Sequence, residues 1–220
     1  MGTMLTDVEV RVLGALVEKQ VTTPEYYPLT LNALVLACNQ KNNRYPVTSY
    51  HEPTVAQAVE SLREKNLAYV FYGSTSRVPK YKHVMPEVMH LSPQELALIS
   101  VLMLRGPQTL GELRDRAARF YDFSGLEEVE TTLNALASRD SEPLVMRLPR
   151  QPGQKEARFA HLLSGEINVE TIMTPEAPRR PRTATVDSER VEKLEGEVEA
   201  LKSQVAQLQA QFQDFRKQFE

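Results

Sequence analysis

The sequence has little of several features that would narrow its function, and each shortage excludes something. Cys38 is the only cysteine among 220 residues, which rules out an intramolecular disulfide and fits a reducing cytoplasm. The longest apolar run, Leu96 to Leu104, is about half of what a bilayer-spanning helix requires. The N-terminus lacks the basic-then-apolar pattern of a signal peptide. We therefore expect a cytoplasmic protein that does not associate with membranes.

An excess of either charge is also lacking. Through Gly165 the chain carries 18 basic and 18 acidic side chains, and the last 55 residues carry 8 basic and 11 acidic ones. The net charge of −3 therefore comes entirely from the C-terminal quarter. A protein dedicated to DNA more often has a basic excess, so the overall charge does not favour that role.

Motifs that carry chemistry are missing as well. The chain has no Gly-x-Gly-x-x-Gly, no phosphate-binding Gly-Lys-Ser/Thr and no Gly-x-Ser-x-Gly. Its histidines have no metal-ligand spacing with one another or with Cys38; they are His51, His83, His90 and His161. We predict a protein that is not an enzyme, with no cofactor, no metal ligands and no catalytic residues.

The most informative feature present is an internal repeat. The string at 29–34 is echoed at 108–113, and the helical stripe Val55, Val59, Leu62 is echoed by Val129, Leu133, Leu136. In each copy three predicted helices are followed by two short β-like runs around a turn, which is the order of a winged helix-turn-helix. We predict a mainly α fold with small β-hairpin wings, built from tandem winged helix-turn-helix domains at 1–88 and 89–165.

Capping signals and turns place these elements. Helix starts are predicted at Thr6-x-x-Glu9, Ser92-Pro93-x-Glu95, Thr109-x-x-Glu112 and Ser124-x-x-Glu127. Strands are predicted at 67–72 and 81–85 around the turn 73–76, and at 144–148 and 157–162 around the turn 149–153.

The first copy is longer than the second in two loops, 22–28 and 39–51. Because the second copy forms its core without this extra length, the loops are candidates for a specific function. An equally good interpretation is that they are only longer connections.

The C-terminal quarter differs in composition from the rest. Prolines and arginines alternate with small polar residues at 166–188, which predicts a flexible linker. A strict heptad pattern follows at 189–220 and predicts a coiled-coil helix, with valine at a and leucine at d favouring a parallel homodimer. The predicted dimer seam consists of Val191, Leu194, Val198, Leu201, Val205, Leu208, Phe212, Phe215 and Phe219.

Double-stranded DNA is one candidate partner, through the first domain. If the fold is as predicted, the loop before the third helix and the wing flank one face and form a modest phosphate-binding patch. Polar side chains off the apolar stripe of the third helix would then meet base edges. The candidate DNA contacts are Lys41, Arg44, Thr54, Gln57, Ser61, Arg77, Lys80 and Lys82. Acidic side chains on the same helix favour the alternative, an ordinary solvated surface.

The second domain is a poorer candidate for DNA. Its third helix opens with Glu127, Glu128 and Glu130, whose carboxylates suit a helix N-terminus and would repel phosphates. An unidentified protein is the likelier partner for this domain. The second functional hypothesis is therefore a protein-interaction adaptor that does not bind DNA.

Several strings in the chain resemble the YceH family of uncharacterised bacterial proteins. They are 18–25, 37–41 with Asn43-Arg44, 104–106 with Gln108-Thr109, 111–114, and Pro152-Gly153 with Glu156-x-Arg158. The resemblance spans about residues 4 to 165 and implies a bacterial cytoplasmic protein with tandem winged-helix domains. It implies no activity, ligand or catalytic residue. The order of elements is also similar to that of the kleisin-associated segregation proteins, whose paired winged helices bind protein, but only at the level of architecture.

Overall fold

The computed structural model describes residues 4–72, 78–139, 142–150, 154 and 156–165. The first repeat contains α1 (Asp7–Thr22), a short 3-10 helix (Pro24–Tyr26), β1 (Leu29–Thr30), α2 (Leu31–Cys38), α3 (Glu52–Glu64), β2 (Ala68–Phe71), β3 (Lys80–His83) and α4 (Met85–Met89). The second contains α5 (Pro93–Arg105), α6 (Leu110–Ala117), α7 (Leu126–Ala137), β4 (Val145–Arg147) and β5 (Phe159–His161). The expectation of a mainly α protein with small antiparallel hairpins is confirmed.

Local sequence signals determine where the helices begin. Capping boxes open α1 at Thr6, α5 at Ser92 and α6 at Thr109, each with its glutamate three residues on. The fourth predicted box is wrong, because α7 has its N-cap at Gly125. The Ser124 amide and hydroxyl instead donate to a carboxylate oxygen of Glu128, at 2.8 and 2.9 Å.

Two small antiparallel sheets follow the helices. The first has the strand order β1-β3-β2, with Leu29 opposite Tyr81 and Val70 opposite the same residue. The second is the pair β4-β5. Strand β1 was not predicted from the sequence, and the strand predicted to reach Met85 ends at His83, because Met85 begins α4.

The two repeats share one core. Ten consecutive residues of α1, Glu9 to Glu18, are buried, as are eight of α5, Ala97 to Leu104. The two helices cross at Gly14, where an added Cβ would lie 3.0 Å from Leu104 Cδ2. The described residues therefore form a single compact unit in which α1 and α5 lie at the centre.

Two further predictions from the sequence concern membrane-spanning helices and the C-terminal quarter of the chain. In the described ranges, no helix has the length and hydropathy needed to cross a membrane. The predicted linker at 166–188 and the predicted coiled coil at 189–220, with its nine seam residues, lie outside the described residues.

Candidate functional site

The first sheet has two unlike faces. Its inner face packs on the core through Ala68, Tyr81 and His83, which are at most 7% exposed. The part of the opposite face that β2 and β3 form, which we call the outer face, consists of Tyr69, Phe71, Lys80 and Lys82. Cross-strand pairing sets Tyr69 beside Lys82 and Phe71 beside Lys80, because directly opposite residues of an antiparallel pair share a face.

The outer face combines aromatic rings with positive charge. Tyr69 and Phe71 are 38% and 44% exposed, and Lys82 Nζ lies 5.8 Å from the centre of the Tyr69 ring. Among the described residues, neither Lys80 nor Lys82 forms an ion pair. Both ammonium groups are thus available to an anion. Arg77, the other basic residue predicted for this hairpin, lies outside the described residues.

Helix α3 presents two of its three predicted contacts to solvent. Thr54 and Gln57 are exposed. Ser61 is half-buried. The structure therefore exposes Ser61 less than Thr54 and Gln57.

The two predicted DNA contacts in the loop 39–51 differ in their exposure to solvent. Lys41 is exposed, whereas the Arg44 side chain is fully inaccessible and forms a two-point ion pair with Glu18 of α1. Arg44 also donates to the carbonyl oxygens of Ala37 at 2.7 Å and Asn43 at 2.9 Å. The Arg44 donors are thus used inside the protein, and its side chain is not exposed to a partner in this structure.

Arg44 belongs to an ionic cluster that joins the repeats. Arg119, which follows α6, donates to Glu18 Oε1 at 2.6 Å, an oxygen that Arg44 also contacts, and Arg105 at the end of α5 donates to the Asn43 side chain. Burial alone would raise the pKa of Glu18, but hydrogen bonding from Arg44 and the charges of both arginines lower it. Glu18 is therefore a buried carboxylate that remains ionised.

Further hydrogen bonds hold the loop against both repeats. Arg11 of α1 donates to Pro46 O at 2.8 Å, and the Asn39 side chain both accepts from and donates to the Tyr50 backbone. The Tyr45 amide donates to Leu104 O at 2.9 Å. The loop 39–51 is thus a structural bridge whose exposed surface includes Tyr45 and Val47, at 70% and 55% exposure.

The second repeat carries an acidic groove. An open groove of about 720 Å³ runs between α5 and α7, with Glu95, Glu127 and Glu128 among its lining residues. Leu126 at the start of α7 is 45% exposed. This surface suits a basic or polar partner and does not suit phosphate.

Elsewhere, Cys38 and His83 are buried and His161 is half-buried. Burial raises the pKa of the Cys38 thiol to about 12, so the thiol stays protonated at neutral pH. Burial also lowers the pKa of His83 and of His161 to about 4 each. Within the described ranges, no group of three or more potential ligands is arranged to hold a metal ion.

The aromatic half of the outer face and the Glu18 cluster were not predicted from the sequence. The alternation at 67–72 contained the first signal, since it predicted a strand with Tyr69 and Phe71 at alternate positions. Glu18 was detectable as an acid near the end of an apolar helix. Neither signal reveals its cross-strand or cross-loop partner.

Comparison with known proteins places the chain among bacterial relatives. Residues 5–154 match the family model described as "Protein of unknown function, DUF480". The chain is 51% identical to UPF0502 protein GSU0233 of Geobacter sulfurreducens over the full length of both. It is 54% identical to a UPF0502 protein of Opitutus terrae, over 84% of this chain and 81% of the relative. It is 45% identical to UPF0502 protein VVA1225 of Vibrio vulnificus, over 96% and 97%.

Proposed function

We propose a function for this chain on the premise that it belongs to the DUF480 (UPF0502) family of uncharacterised bacterial proteins. The proposed function is that of a non-enzymatic, DNA-contacting regulatory protein. In this proposal the two repeats are winged helix-turn-helix units, and the first contacts duplex DNA through α3, the loop 39–51 and the first hairpin. The names of these relatives describe no activity, so the proposal depends on the site alone.

The order and pairing of elements support the winged-helix interpretation. In the first repeat β1 precedes α2 and pairs with β3, and β2 and β3 follow α3 as a hairpin. In winged-helix proteins the third helix enters the major groove and the hairpin lies against the backbone beside it. The exposed side chains of Thr54 and Gln57 then face base edges.

One observation carries the DNA proposal. Lys80 and Lys82 lie on one face of the hairpin, and no described carboxylate pairs with either. Two uncompensated ammonium groups on the wing are suited to adjacent phosphates. Lys41 adds a third cation from the loop, whereas Arg44 and Ser61 do not take part.

A salt titration tests this proposal. Fluorescence anisotropy with a random duplex should show binding at about 50 mM salt that weakens by orders of magnitude at about 200 mM. The double substitution Lys80→Gln/Lys82→Gln should reduce the slope of log K against log salt by about 2, since each phosphate contact contributes about 0.9.

Arg147→Gln/Arg150→Gln, in the second hairpin, is the matched control. It removes the same charge from exposed positions and should leave the slope unchanged. No duplex binding at either salt concentration, or equal losses in both double variants, would contradict the DNA proposal.

The proposal also includes a homodimer formed by the predicted coiled coil at 189–220. Leu201→Asp places a charge in the predicted seam and should halve the mass measured by light scattering. Ser203→Asp makes a similar change at a predicted outward position and should leave the dimer intact. A dimer that survives Leu201→Asp would refute this arrangement.

The acidic groove of the second repeat supports a second candidate function, a protein-interaction adaptor. Glu127 and Glu128 line the groove where a DNA-reading helix would approach phosphates. The two candidates differ in their salt response and in the residues on which they depend. An adaptor would fail to bind duplex DNA and would lose its protein partner when Glu127 and Glu128 are changed to glutamine.

A further inference from the structure

The aromatic rings of the outer face have no role in a phosphate contact. Tyr69 and Phe71 occupy alternate positions of β2, so both rings lie on the side that carries Lys80 and Lys82. Tyr72, the next residue, is 70% exposed. A sheet face that only met phosphates would need the lysines alone.

We infer that this outer face binds unpaired nucleotide bases, which stack on Phe71 and Tyr69 while Lys80 and Lys82 contact the adjoining phosphates. The inference rests on the proposed contact with DNA and names the form of nucleic acid that the hairpin prefers. That form is a single strand, or a duplex bordered by one.

Spacing favours unpaired bases over a closed duplex. Residues two apart on a strand are separated by about 7 Å, whereas stacked bases within one strand of a duplex rise about 3.4 Å. Bases in a duplex also have both faces covered by their neighbours, so they cannot stack on a side chain. Unstacked bases of a flexible strand can reach both rings.

Charge favours nucleic acid over an apolar protein partner. Each aromatic ring is paired across the strands with a lysine, and no described carboxylate neutralises those lysines. Alternating cations and rings are the combination used by proteins that bind single strands without sequence preference. Burying the face against an apolar surface would leave two unpaired charges, which is costly.

Phe71→Trp provides a direct spectroscopic test, because the chain has no tryptophan of its own. A thymidine oligonucleotide of about 12 residues, within the usual site size, should quench the fluorescence of the new indole by stacking. Tyr26→Trp is the matched control. Tyr26 is 72% exposed on the 3-10 helix, outside the sheet, and an indole there should not be quenched.

Binding measurements then separate stacking from charge. Phe71→Leu and Tyr69→Leu keep apolar side chains and remove the rings, so each should weaken single-strand binding by about tenfold or more. Their affinity for a blunt duplex should stay within about twofold of the parent. A duplex with a single-stranded overhang should bind the parent more tightly than the blunt duplex does. Circular dichroism checks that the variants remain folded.

The outcomes distinguish this inference from the function on which it rests. Salt-dependent duplex binding with no quenching of the Phe71→Trp indole, and no gain from an overhang, would overturn the inference and leave the DNA proposal standing. Single-strand binding that needs the rings, without duplex binding, would support the inference and refute the duplex role. Binding of no nucleic acid would overturn both and make a protein partner the occupant to seek.

Discussion

Replacing Arg44 tests whether the loop 39–51 is held by a buried ion pair. Arg44→Met keeps a flexible apolar side chain of similar length and removes the hydrogen bonds that Arg44 donates to Glu18 and to Ala37 O. The prediction is a large loss of stability with no change in the salt dependence of DNA binding, since the Arg44 side chain has no exposure to solvent.

The expected loss in the free energy of unfolding depends on the contacts that Glu18 keeps after Arg44 is replaced. Glu18 is 2% exposed, so the substitution strands a buried carboxylate whose remaining ionic partner is Arg119 at 2.6 Å. Removing one partner of a buried pair typically costs 3–5 kcal/mol, and the retained Arg119 contact sets our expectation at about 3 kcal/mol. The double variant Glu18→Leu/Arg44→Met should lose less than the sum of the single losses, with a coupling of about 2 kcal/mol.

Urea unfolding at pH 7, followed by circular dichroism, measures these losses. Arg63→Met is the control, because Arg63 is 40% exposed and pairs with Glu60 on the surface of α3. That substitution should change the free energy of unfolding by less than about 1 kcal/mol. A loss below about 1 kcal/mol for Arg44→Met, or strict additivity in the double variant, would refute the reasoning.

Two further predictions concern the core and its pH dependence. Gly14→Val should lower the free energy of unfolding by about 2 kcal/mol or more, because the Cβ of the new side chain would lie about 3.0 Å from Leu104. Gly111→Val is the control, because no atom lies near a Cβ added at Gly111. It should be close to neutral in the same urea titration. His83 and His161 are held neutral with pKa values of about 4. The free energy of unfolding should therefore have its full value above pH 6.5 and should fall by up to about 2 kcal/mol per histidine between pH 7 and pH 5, as the unfolded chain takes up protons. A urea midpoint that does not change over that interval would contradict the second prediction.

The helices were largely predictable because their signals are local. Three of four predicted capping boxes formed, since each needs only residues within one turn. The fourth failed because α7 has its N-cap at Gly125, one residue later than predicted, and Ser124 pairs with Glu128 in place of Glu127. Strand β1 is two residues long and is defined by its pairing with β3, so no local pattern revealed it.

The candidate site was only half predictable for a related reason. Lys80 and Lys82 were identified from their place in a hairpin, but the rings opposite them depend on cross-strand register. Arg44 looked the same as any loop arginine in the sequence. Its burial depends on Glu18, which lies 26 positions earlier in the chain, and on Arg119 from the other repeat.

By itself the sequence determined the internal repeat, the mainly α composition and the starts of most helices. These properties come from apolar periodicity and capping, which act over a few residues. Only the tertiary structure decided that the repeats share one core through α1 and α5, that Arg44 faces inward, and that aromatic rings and lysines meet on one face. Those outcomes depend on which distant surfaces come together, because burial and charge pairing acquire their energies only after folding has set the neighbours of each side chain.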